Sequence, residues 1–108
     1  MANGWTASPG TVLHVAGRLD GTSVSEARQR LHTAIATTDG DIILDVSDME
    51  WVDVTGLAVL VDAHRRLRSQ DRRLVLRGCG PRVRRALAVT RLSRVMSIER
   101  GESTASAA

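Results

Sequence analysis

Three histidines, one cysteine and one threonine at a loop-to-helix junction are the residues of this chain that could carry chemistry. His14, His32 and His64 fall in three separate stretches and show no metal-ligand spacing. His14 is flanked by strand-type apolar residues and His64 lies on an apolar helical stripe, so the histidines read as structural or surface groups. Cys79 sits in Gly78-Cys79-Gly80 with no histidine nearby, and reads as a small turn residue rather than a catalytic thiol. That turn lacks the third glycine of a dinucleotide fingerprint, and no Walker-type phosphate loop is present. The expectation is a protein that is not an enzyme, with no catalytic residue, no metal ligand and no cofactor.

What remains is Asp53-Val54-Thr55-Gly56-Leu57. Thr55 stands where a loop feeds a helix expected to begin at about Gly56. Its hydroxyl suits the N-cap position, where it would accept from an early helical N–H. Asp53 is placed to interact with the same positive helix end. Gly56, lacking a side chain, would let another protein approach the backbone closely. Leu57 opens the buried stripe. On physical grounds alone this is a well-capped helix start.

The elements that must position it can be read from periodicity. Residues 11–17 form a strand bounded by Gly10 and Gly17, and a shorter strand at residues 5–7 pairs with it across Pro9-Gly10. Ser23-Val24-Ser25-Glu26 has capping-box spacing, with Ser23 at the N-cap. Val24, Ala27, Leu31, Ala34 and Ile35 then recur on one face of a helix ending near Thr37. Residues 41–46 are a central strand broken by Ser47-Asp48. A short loop containing Trp51 leads to the second helix, whose stripe is Leu57, Leu60, Val61, His64 and Leu67. Leu74-Val75-Leu76 is a strand. Pro81 opens a third helix with Val83, Ala86, Leu87 and Thr90 inward and Arg82, Arg84 and Arg85 outward. Residues 95–98 are a last short strand. The order β(β)αβαβαβ implies an α/β fold, a mixed sheet of about four or five strands packed against amphipathic helices. Residues 1–100 are expected to form one domain and 101–108, small and polar, a disordered tail.

Composition narrows the class. A chain of 108 residues supports one domain. With no Phe or Tyr, its core must be aliphatic. All fifteen cationic residues are Arg, so the high isoelectric point reflects Arg usage more than charge, and a formal net charge of +3 does not call for nucleic acid. The arginines on the third helix lack the aromatic residues of a stacking platform and read as a solvated face. No stretch is long and apolar enough for membrane insertion and the N-terminus has no signal-peptide pattern, so a cytoplasmic location is expected.

Four stretches in order carry a resemblance. They are Val15-Ala16-Gly17-Arg18-Leu19-Asp20, Ile43-Leu44-Asp45-Val46-Ser47-Asp48-Met49, Val52-Asp53-Val54-Thr55-Gly56-Leu57-Ala58-Val59-Leu60, and Val83-Arg84-Arg85-Ala86-Leu87 through Leu92. Together, at this spacing over about residues 10–99, the chain resembles the STAS family, in particular the bacterial anti-sigma factor antagonists. The resemblance implies a STAS-like fold and a phosphoswitch. The position matching Thr55 would be phosphorylated by an anti-sigma factor that is itself a serine/threonine kinase. The unphosphorylated domain would capture that factor and free the sigma factor, and a PP2C-type phosphatase would reset it. The implied partner surface comprises Asp20, Gly21, Asp53, Val54, Thr55, Gly56 and Leu57, with Asp20 and Asp53 as acidic neighbours of the acceptor. The chain departs from the family pattern in having Thr as acceptor and Val54 before it, where many members have Ser. The competing expectation is a constitutive STAS interaction subunit of a stress-sensing or lipid-transport assembly, with Thr55 only a helix cap.

Overall fold

The computed structural model describes residues 4–7, as backbone, and 12–99. The expected hairpin turn at Pro9-Gly10 and the expected tail at 101–108 lie outside the described residues. Five strands form one sheet in sequential order: β1 (Gly4–Ala7), β2 (Val12–Leu19), β3 (Ile42–Val52), β4 (Leu74–Arg77) and β5 (Ser97–Ile98). β1 pairs antiparallel with β2, and the other pairs are parallel. The helices α1 (Val24–Thr37), α2 (Val54–Arg68) and α3 (Pro81–Val89) make the crossovers. A 3-10 turn at Leu92–Arg94 precedes β5. The mixed α/β sheet with three amphipathic helices is the fold the sequence implied.

The core is aliphatic, as a chain without Phe or Tyr requires. Leu19, Ile42, Leu44, Leu74 and Leu76 from the sheet are fully buried with Leu31, Leu60, Leu67 and Leu87 from the helices. α1 and α2 pack against each other, and the C-terminal end of α1 is held by a buried arginine. The Arg72 guanidinium donates to the carbonyls of Ile35 and Gly40, to Thr38 Oγ1 and to Gln70 Oε1 at 2.8–2.9 Å. A cation there faces the negative end of the helix, which offsets part of its burial cost.

Several boundaries differ from the sequence reading, each for a local reason. Ser47-Asp48 does not end β3, which runs for 11 residues. Between His14 and Ala16, and again between Gly17 and Arg18, the pairing shifts, so that β3 accommodates extra residues as bulges. The Asp45 carboxylate satisfies the Ser47 backbone N–H and hydroxyl at the first bulge. Gly17 does not bound β2 but lies within it at φ +85°, a conformation that favours glycine. Trp51, expected in a loop, is a β3 residue opposite Arg18. Ser23 stands at the N-cap position of α1, yet its side chain makes no cap bond. Its hydroxyl turns back, donating to the Arg18 carbonyl at 2.8 Å and accepting from the Asp20 N–H at 3.1 Å. Thr90 is exposed rather than inward. It follows the last turn of α3, and its hydroxyl donates to the Ala86 carbonyl at 2.7 Å.

Candidate partner-binding site

The end of β2 and the start of α2 meet at one carbonyl. The Asp53 N–H donates to Leu19 O at 3.2 Å. Gly56 rests against the same residue: a Cβ there would lie 2.9 Å from the Leu19 carbonyl carbon and Cγ, and closer still to the carbonyl oxygen. The close approach that Gly56 permits is therefore made within the chain. Gly56 is buried, so its missing side chain serves the fold before any partner.

α2 begins at Val54, two residues earlier than the sequence suggested, and Asp53 is its N-cap. An Asp53 carboxylate oxygen accepts from the Gly56 N–H at 2.9 Å, and the Asp53 carbonyl takes the Leu57 N–H at 2.9 Å. This corrects the capping role assigned to Thr55. Thr55 is the second residue of the helix and is exposed, and among the described residues its hydroxyl has no hydrogen-bond partner. The cap is complete without it. Val54, before it, is 77 % exposed, while Leu57 is buried in the core as expected.

Asp20 follows Leu19 directly and is only 7 % exposed. Its carboxylate accepts from the Thr22 hydroxyl at 2.6 Å and the Thr22 N–H at 3.0 Å, and from Arg18 Nε at 2.9 Å. These bonds, the Thr22 hydroxyl first and Arg18 next, hold its pKa down at about 2 against the burial that opposes them. Asp20 is thus an anion at neutral pH, already engaged in shaping the loop before α1. Gly21, next in that loop, is exposed with open space where a side chain would be.

Of the seven residues expected on a partner surface, Asp20, Gly56 and Leu57 are buried and build the platform. Gly21, Val54 and Thr55 are exposed, and Asp53 lies between the two. Through Leu19, the backbone brings the loop of Asp20 and Gly21 beside the helix start carrying Asp53 and Thr55. Sequence reasoning missed the pair at the next rung: the Arg18 guanidinium carbon stands 5.7 Å from the centre of the Trp51 ring. Arg18 and Trp51 precede Leu19-Asp20 and Val52-Asp53 in sequence, but only the strand pairing puts them together.

The remaining titratable groups are dispersed. His14 Nδ1 lies 3.3 Å from Asp45, and His32 Nε2 lies 3.6 Å from Asp62. His64 is buried in α2, and burial lowers its pKa, with Arg68 and Arg65 adding to the shift. Burial raises the pKa of the Cys79 thiol, and Arg84 only partly opposes that shift. Among the described residues no three His, Cys, Asp or Glu side chains are grouped so that they could hold a metal ion. No helix among the described residues is long and apolar enough to cross a membrane.

Comparison with known proteins agrees with this architecture. The STAS domain family matches residues 6–105, and the chain belongs to that family. It is 29 % identical over 90 residues to the anti-sigma-B factor antagonist of Listeria monocytogenes, covering 83 % of this chain and 79 % of that protein. An anti-sigma factor antagonist from Mycobacterium paratuberculosis superposes with a TM-score of 0.77 at 20 % identity, over 90 % of this chain and 83 % of that one. The phosphorylated form of the Bacillus cell fate determinant SpoIIAA superposes with a TM-score of 0.67 at 20 % identity, over 97 % of both chains. At these identities the structures speak for the fold alone.

Proposed function

We propose that this chain is an anti-sigma factor antagonist whose unmodified face around Thr55 captures an anti-sigma factor and thereby frees a sigma factor. In the same proposal phosphorylation of Thr55 ends the capture. The observation that carries the reading is the idle hydroxyl: Thr55 is exposed at the second position of α2, and Asp53 does the capping. A residue that served only as a cap would be engaged with the helix. The naming of the Listeria relative supports the antagonist role, and a phosphorylated form of SpoIIAA supports the switch by analogy.

The chemistry asked of the chain is small. The Thr55 hydroxyl oxygen would attack the γ-phosphorus of ATP held by the partner kinase. The bond to the departing ADP breaks, and the hydroxyl proton passes to a base on the kinase. The product carries about −1.5 to −2 charge at pH 7. A helix N-terminus favours an anion, so α2 should stay folded. The cost falls on the contact surface. A neutral hydroxyl two residues after Asp53 becomes a strongly hydrated anion, and docking a partner would require removing that water. Losing ~3 kcal/mol of binding is enough to weaken affinity about a hundredfold. A PP2C-type phosphatase would restore the hydroxyl by hydrolysis.

The test is to incubate the protein with its cognate kinase-type anti-sigma factor and ATP, and to map the product by mass spectrometry. One phosphate on Thr55, absent from Thr55→Ala, is expected. An unmodified Thr55 after prolonged incubation with an active kinase would refute the switch.

A further inference from the structure

Among the described residues four large apolar side chains are prominently exposed, and two of them bracket the Asp53 cap: Trp51 at 43 % and Val54 at 77 %. Trp51 is not a loosely held ring. It lies on β3 opposite Arg18, whose guanidinium stands over it at 5.7 Å. Arg18 is in turn fixed by the Asp20 carboxylate at 2.9 Å. Two backbone links place this stack at the candidate site. Leu19 pairs with Val52 on the next rung, and the Leu19 carbonyl then takes the Asp53 N–H. The bulge between Gly17 and Arg18 sets the register in which Trp51 faces Arg18 while Val52 stays buried.

We infer that Trp51 is the aromatic anchor of partner recognition, a binding residue outside the Asp53–Leu57 segment. The inference rests on the antagonist reading, because the occupant it assigns is the anti-sigma factor that contacts Thr55. Three features fit an anchor. Exposed tryptophan held at a defined angle contributes large contact area with little loss of side-chain freedom on binding, and Trp and Arg are the residue types that dominate interface energies. Arg18 is neutralised by Asp20, so covering the stack does not strand a charge. Trp51 also adjoins the cap along the backbone, two residues before Asp53 and one rung from Leu19, whose carbonyl takes the Asp53 N–H. The complementary partner feature is an apolar pocket with one hydrogen-bond acceptor for the indole N–H, which has no protein partner among the described residues. A phosphate on Thr55, four residues along, would wet the edge of the same contact.

The measurement is calorimetric titration of the anti-sigma factor used in the kinase assay into wild-type, Trp51→Ala and Trp51→Phe proteins. Trp51→Ala should weaken binding by at least about 30-fold, the scale of an interface hot spot. Trp51→Phe, which keeps a ring beneath Arg18, should weaken it less. The urea midpoint of each variant reports folding separately. An independent reading comes from Trp5→Phe protein, in which Trp51 is the sole fluorophore. Binding should shift its emission to the blue and shield it from acrylamide. A loss smaller than 30-fold in folded Trp51→Ala protein, or unchanged Trp51 quenching in the complex, would overturn the inference and leave the antagonist reading intact. Wild-type protein that does not bind at all would overturn both.

Discussion

At the scale of single residues, the site divides into groups that are occupied and one that is idle. Asp20 accepts three hydrogen bonds, Asp53 caps α2, and Gly56 is pressed against Leu19, while the Thr55 hydroxyl has nothing to do within the described fold. The contrast bears on how acid should act on the protein. Folding lowers the Asp20 pKa from 3.8 to about 2. Between those values the folded protein therefore binds fewer protons than the unfolded chain. The stabilisation from this group is complete above the unfolded value and is lost as pH falls through 3.8 toward 2. Asp20→Asn should lower the urea midpoint at neutral pH, and the gap from wild type should close as the pH is taken down to about 2. A gap that is constant across that range would show that the carboxylate charge is not what the loop depends on.

At the scale of elements, the β2 end, the β3 end and the α2 start act as one unit, because Leu19 touches both Asp53 and Gly56. Ala is ordinarily the better helix residue by about 1 kcal/mol. At position 56 the added Cβ meets the Leu19 backbone, which cannot rotate away, so Gly56→Ala should destabilise the protein by about 1–3 kcal/mol. It should also weaken partner binding by displacing the helix start. Chemical denaturation decides the sign, and a stabilised Gly56→Ala protein would contradict the interlock. Much of this unit was legible in the sequence. Apolar periodicity located all three helices, with α1 ending at Thr37 as expected, and the short strand Leu74–Arg77. The interlock itself was not legible. Two acceptable capping residues, Asp53 and Thr55, lie two positions apart, and propensity does not choose between them. The Asp53 amide held on Leu19 O fixes the choice, and that contact spans more than thirty residues of chain. The bulges of β3 were hidden for a related reason. Ser47-Asp48 looks like a strand break until the Asp45 side chain is seen to satisfy the backbone there. Likewise Ser23 has the spacing of a capping box, but the β2–α1 loop takes its hydroxyl for Arg18 and Asp20.

At the scale of the whole molecule, the chain is a small scaffold that gathers its exposed special groups at one edge. The C-terminal ends of β2 and β3 and the N-termini of α1 and α2 meet there, the edge where parallel α/β sheets commonly place their binding sites. Neither the aliphatic core nor the Arg72 clamp on α1 includes Thr55. Modification at that edge can therefore change what the surface binds without requiring the fold to change. STAS family membership and the naming of the Listeria relative fit such a part, and in the function proposed above charge at Thr55 controls capture. The most direct test is calorimetric comparison of wild-type and Thr55→Glu proteins against the cognate anti-sigma factor, with thermal midpoints recorded in parallel. Thr55→Glu is expected to bind about a hundredfold more weakly, a loss of ~3 kcal/mol, while its midpoint stays close to that of wild type. Equal affinity for the two proteins would contradict it.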